Sequence, residues 1–199
     1  MSVDRFADGC VLVQPFAGAS EGFDSADDLL HVLDELVMYA QERGRPLKKR
    51  NVNVMLYRDR RVFLFVYSDC VNGPSVSLGL PKVVAALTDA DALGSAILQG
   101  LRESNATVHP ARDWRADPPD REFLEWLGLA TYRQYQRGVR SVDVSAAFDH
   151  EPQEIEVVPE RNERRGGFTP ISQWRRMLTF ESPEQLGRAV QEAMKKAIA

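Results

Sequence analysis

The chain offers few residues for covalent or metal chemistry: three histidines (His31, His109, His150) and two cysteines (Cys10, Cys70) among 199 residues. Metal sites need such groups at short, fixed spacings. Here the histidines lie far apart, and no HxxxH, HExxH or CxxC occurs. Neither GxGxxG nor GxxxxGKS/T is present, so no phosphate-cradling loop is expected. Cys70, in Ser68-Asp69-Cys70, could act as a nucleophile if a histidine approached it in space. Nothing in the sequence places one there, and a small thiol after an apolar run reads as a core residue. Carboxylates are plentiful, but catalytic pairs need apolar surroundings to split their pKa values, and the stretches that hold them are polar. The expectation is a non-enzymatic chain with no cofactor and no metal.

What remains is charge. Residues 1–42 carry nine acids against one base, Arg5, whereas residues 43–61 carry eight bases against one acid, Asp59. Residues 25–43 read as a helix capped by Ser25 and closed by Gly44 and Pro46. Leu29, Leu30, Val32, Leu33, Leu36, Val37 and Ala40 share one face of it, and Asp27, Asp28, Asp34, Glu35 and Glu42 the other. His31 falls within the acidic arc. A second acidic tract runs over residues 149–160, with Asp149, Glu151, Glu154, Glu156 and Glu160 and no base before Arg161. Asp27, Asp28, His31, Asp34, Glu35, Glu42, Asp149, Glu151, Glu154 and Glu156 are therefore the candidate contacts for a basic protein partner, since complementary charge speeds association. The alternative reading is a nucleic-acid-associated regulator using residues 43–61. Only Tyr57 supplies a stacking ring there, and the pI of 5.5 is not that of a dedicated binder, so no direct nucleic-acid contact is expected.

The elements that must position these groups follow from periodicity. Residues 51–57 alternate Asn51 and Asn53 with Val52 and Val54, and residues 62–67 (VFLFVY) form a continuous apolar run. They read as a hairpin whose second strand is buried on both faces. A third strand is expected over 75–80, and a helix after Thr88 with Asp91 at the capping-box position. Residues 104–120, with Pro110, Pro118 and Pro119, read as a linker. Residues 121–136 carry one helical stripe (Phe123, Trp126, Leu127, Ala130) that Gly138 ends.

The order of elements then repeats. Arg50-Asn51-Val52-Asn53-Val54 returns as Arg140-Ser141-Val142-Asp143-Val144, ninety residues later. Leu93-Gly94-Ser95-Ala96-Ile97 returns as Leu186-Gly187-Arg188-Ala189-Val190, ninety-three later. Ser182-Pro183-Glu184-Gln185 combines a capping box with proline at the first helical position. The expectation is an α+β fold of two similar helix–strand–strand–(strand)–helix halves, with a mostly antiparallel sheet and helices packed on it. The halves are residues 1–105, with the acidic helix, and 121–199, joined by the linker 106–120. Gly94 and Gly187, each in a first helical turn, imply close approach of a neighbouring backbone, expected to be a strand of the same half.

Size and composition agree with a folded domain: 44% apolar and 27% charged residues are ordinary values. No run nears the ~18 apolar residues of a membrane helix. The first residues, MSVDRFADGC, lack the basic region and apolar run of a signal peptide, which points to the cytoplasm and to no membrane partner.

The helix ending in Tyr132-Arg133-Gln134-Tyr135-Gln136-Arg137-Gly138, the strands at 141–145 and 155–159, and the acid-capped Pro183-Glu184-Gln185-Leu186-Gly187 form one set of features. Together with Ala90-Asp91-Ala92-Leu93-Gly94-Ser95-Ala96-Ile97 and Leu101-Arg102-Glu103-Ser104, they resemble the immunity proteins of contact-dependent growth inhibition systems of proteobacteria, over about residues 51–199. The resemblance implies a cytoplasmic protein that binds the C-terminal toxin domain of a delivered effector, often a nuclease, and masks its active site. It carries over no individual binding residue.

Overall fold

The computed structural model describes residues 2–5, 11–14 and 49–199, apart from 72, 78, 85, 112, 114 and 164–166. The chain divides into two units, residues 1–46 and 47–199. In the first, β1 (Ser2–Arg5) pairs antiparallel with β2 (Val11–Gln14), Val3 opposite Val13. The expected acidic helix over 25–43 lies outside the described residues.

The second unit is built on an eight-stranded antiparallel sheet. Its strands are β3 (Lys49–Leu56), β4 (Val62–Cys70), β5 (Gly73–Val76), β6 (Lys82–Val84), β7 (Arg140–Ala147), β8 (Glu154–Asn162), β9 (Phe168–Pro170) and β10 (Arg176–Thr179). The order is β10-β8-β7-β3-β4-β5, with β6 also on β4 and β9 also on β8. Residues 47–105 and 121–199 thus share one sheet, joined where β3 meets β7.

The register at that seam makes the repeat geometric. Val52 lies opposite Val144, Asn53 opposite Asp143 and Val54 opposite Val142. Because Val52, Asn53 and Val54 are the counterparts of Val142, Asp143 and Val144, the pairing reads the same from either half, as about a twofold axis between Asn53 and Asp143. The hairpins agree: Val54 faces Leu64 in one, and Val144 faces Val157 in the other.

Two helices cover one sheet face: α1 (Ala90–Glu103) and α4 (Pro183–Lys196). Strand alternation points Val52, Val54, Val62, Leu64, Val142, Val144, Ile155 and Val157 at them, against Leu93, Ile97, Leu101, Leu186, Val190 and Met194. On the opposite face α2 (Arg121–Leu127) and α3 (Tyr132–Gln136) cover an aromatic cluster of Met55, Tyr57, Phe63, Phe65, Phe123 and Tyr135. β4 needs its continuous apolar run because it is sandwiched between both clusters.

Several expectations are corrected. The single helix over 121–136 is two: Gly128 closes α2 in the left-handed region (φ 66°), and Thr131 starts α3 with its own capping box to Gln134. The third strand expected over 75–80 is two: β5 (Gly73–Val76) covers only its first residues, and β6 (Lys82–Val84) follows beyond it. The cap of α1 is Asp89, whose carboxylate accepts from the Ala92 amide at 3.0 Å; Asp91 lies in the first turn. At α4 the Ser182 hydroxyl accepts from the Gln185 amide as expected, but Gln185 Oε1 accepts from the Glu181 amide.

The paired glycines do mark a close approach, but between the two helices. A Cβ on Gly94 would overlap the carbonyl of Pro183, and one on Gly187 would overlap the carbonyl of Ala90. Each helix lays its first turn across the other half's glycine. A neighbouring strand of the same half is not what meets them.

Candidate functional site

The sheet face turned away from α1 and α4 carries the polar members of the alternating strands. Register sets Asn51 opposite Ser145, Asn53 opposite Asp143, and Ser145 opposite Glu156. Asn51 Nδ2 donates to Asp143 Oδ1 at 2.6 Å, and Asn53 Nδ2 donates to Glu160 Oε2 at 3.0 Å. Ser141 Oγ reaches Glu160 Oε2 at 2.5 Å and also bonds Asn53 Oδ1. Asn53, Ser141 and Glu160 are buried, so this network lies below the surface, with Asp143 beside it.

Burial pushes both carboxyls above their ordinary values. For Asp143 it outweighs the Asn51 hydrogen bond and the Lys49 charge; for Glu160 it outweighs the bonds from Ser141 and Asn53. Nearby acids add to it, Glu156 acting on Asp143 and Asp143 on Glu160. Burial, with the charges of Glu160 and Asp143, raises the Tyr67 phenol to about 12. Burial also raises Tyr132. A carboxyl held up mainly by burial ionises more readily when a cationic group comes beside it. At the Lys49 end of this face, Lys49, Asn51, Tyr67, Asp69, Ser75, Asn105 and Val108 line a cleft of about 370 Å³.

Of the residues singled out from sequence, Asp27, Asp28, His31, Asp34, Glu35 and Glu42 lie outside the described residues. Asp149, Glu151 and Glu154 are exposed at the β7–β8 turn and the start of β8. Glu151 pairs with Arg102 at 2.6 Å, and Glu156, partly buried, pairs with Arg175 at 3.1 Å. Asp149 and Glu154 make no ion pair among the described residues. Glu160 turns inward, away from the acidic surface the tract suggested.

The basic run divides in the same way. Arg43, Arg45 and Lys48 lie outside the described residues, and Lys49 is exposed. Arg50 is buried: its Nη1 donates to the carbonyls of Arg102 (2.7 Å), Ser104 (2.9 Å) and Leu101 (3.3 Å), and its Nε to that of Phe148 (3.1 Å). It caps the end of α1 and cannot meet a phosphate. Arg61 pairs with Asp59 at 2.7 Å and lies over the rings of Tyr57, Phe63 and Trp126.

Cys70 is buried, and the backbone of His109 bridges beside it, its amide donating to Asp69 O at 2.7 Å. Thiol and imidazole form no hydrogen bond with each other among the described residues. No group of three His, Cys, Asp or Glu that could hold a metal ion occurs among the described residues.

The sequence alone did not reveal the links of Asn51 to Asp143 and of Asn53 and Ser141 to Glu160. The signal was the polar alternation in 51–53 and 141–145, which reads as a solvent-facing edge until the register joins the two strands.

Fold and site define an α+β protein with a twofold-repeated antiparallel sheet and a carboxyl-bearing face. No family model matches the chain, and no curated protein matches it. A solved structure of a protein of unknown function from Neisseria meningitidis is similar, with a TM-score of 0.56 and 17% identity. The likeness covers 77% of this chain and 98% of that one, and it concerns the fold alone.

Proposed function

We propose that the chain is an immunity protein, a non-enzymatic cytoplasmic partner that binds the basic toxin domain of a contact-dependent growth inhibition effector and masks its active site. The toxin is then a nuclease, such as a tRNase, whose substrate cleft is basic. The observation that supports this best is the carboxyl excess along β7 and β8. Asp149 and Glu154 stand exposed without an ion pair among the described residues, and Asp143 and Glu160 lie further along the same two strands, their carboxyls raised mainly by burial. A guanidinium or ammonium group brought to this face would favour the ionised form of those carboxyls. Residues 1–42 also carry nine acids, by sequence. Among the described residues no helix is long and apolar enough to cross a membrane. The alternative, a nucleic-acid partner held by residues 43–61, loses Arg50 to its structural role.

The test is capture of a co-expressed toxin domain, followed by charge reversal. Asp149→Lys with Glu154→Lys, and Asp28→Lys with Glu35→Lys, are each expected to slow association about tenfold and to flatten its salt dependence. A complex indifferent to all four reversals overturns the acidic interface. Failure to form any complex overturns the function.

A further inference from the structure

Gln136 closes α3 and is only 5% exposed. Its carbonyl accepts from Asn162 Nδ2 at 2.6 Å, but its own side-chain Nε2 is buried with no hydrogen-bond partner among the described residues. A buried donor left unsatisfied is costly, and folded proteins keep few of them. Gln136 also lines a cleft of about 410 Å³ with Arg133, Arg137, Gly138, Asn162 and Ala199. Arg133 and Arg137 are exposed and form no ion pair among the described residues. No acidic side chain lines the cleft among the described residues. The charged side chains among its described lining residues are those of Arg133 and Arg137, both positive. The Arg58 Cβ lies 3.9 Å from where a Cβ on Gly138 would be, and its guanidinium lies over the Tyr57 ring.

We propose that this cleft is an anion site that takes a phosphate group. Arg133 and Arg137 supply forked, permanently charged donors, which suit the oxygens of phosphate. The Gln136 amide supplies a neutral donor that otherwise has no acceptor. The site is separate from the carboxyl-bearing face and does not depend on the immunity reading. Its phosphate comes either free in solution or at the end of a nucleic-acid strand.

The test is titration of the full chain with inorganic phosphate at constant ionic strength, following the side-chain NH signals of Gln136 and the Arg Nε signals by NMR. Saturable shifts are expected, absent with chloride. Arg133→Gln with Arg137→Gln should weaken binding at least tenfold, whereas Arg188→Gln, on the outer face of α4, should leave it unchanged. Gln136→Leu should fold at least as stably and bind phosphate several-fold less well. Shifts that do not saturate, or that survive in the double arginine variant, overturn the site; unchanged affinity in Gln136→Leu overturns the role of the amide. Short oligonucleotides with and without a 5′-phosphate separate the two sources. A tenfold preference for the phosphorylated strand assigns the site to nucleic-acid ends, and equal affinity for strand phosphate and inorganic phosphate assigns it to the free anion.

Discussion

Arg50 and Asp143 show how one residue's surroundings reverse its plain reading. In sequence Arg50 belongs to a basic run, but in the fold its guanidinium satisfies carbonyls at the end of α1 and lies 4.6 Å from the centre of the Phe148 ring. Arg50→Met should cost about 2–4 kcal/mol in chemical denaturation, because several buried carbonyls lose a charged donor at once. Arg50→Lys should recover only part of this, as an ammonium cannot reproduce the fork. For Asp143 and Glu160 the sign follows from their raised folded-state values. A carboxyl whose pKa is raised on folding contributes stability at pH below its unfolded value, near 4, and loses it as pH rises through the folded value. Asp143→Asn should therefore match the wild type at about pH 3.5 and exceed its melting temperature increasingly toward pH 7. Coincident melting curves across that range would refute the shift. None of this was legible residue by residue, since the partners of Arg50 lie at the end of a helix some fifty residues on and beyond β7, and that of Asp143 lies ninety-two residues away on β3.

Among the elements, the crossing of α1 and α4 is the tightest contact. Gly94→Ala should cost about 3 kcal/mol or more by urea unfolding, because backbone carbonyls stand where the methyl must go and neither helix can yield separately. Gly187→Ala should cost a similar amount, and the double variant less than the sum, since one displacement accommodates both. An additive pair would argue against a shared contact. The glycines were visible in sequence as a matched pair in first turns, and so was the approach they permit. Which element meets them was not, because a leucine-glycine helix start says nothing of its neighbour. The hairpin and the Ser182 cap were equally legible, being set by alternation and by local hydrogen bonding. The break at Gly128 was hidden because α2 and α3 keep a nearly continuous apolar stripe across it.

At the scale of the molecule, the duplication was legible from two short repeats in order, since equivalent strands need equivalent alternation. The joining of both halves into one sheet was not, because edge pairing leaves no local mark. That seam determines what each half can do alone. Neither stretch 47–105 nor 121–199 should fold as a monomer, since each exposes the full length of its central strand, β3 or β7, once the other is removed. A strand that pairs with its own near-copy can equally pair with itself on another chain. Two β3 strands meeting in the native register would set Asn53 against Asn53, a neutral match. Two β7 strands would set Asp143 against Asp143, and like charges directly opposed are unfavourable. In sedimentation, the first fragment should self-associate at neutral pH and the second only under acid conditions, where Asp143 is neutral; equal behaviour of the two at both pH values would contradict this. One carboxyl at the seam thus steers the β7 of a nascent chain toward β3 and away from the β7 of a neighbour on a crowded polysome.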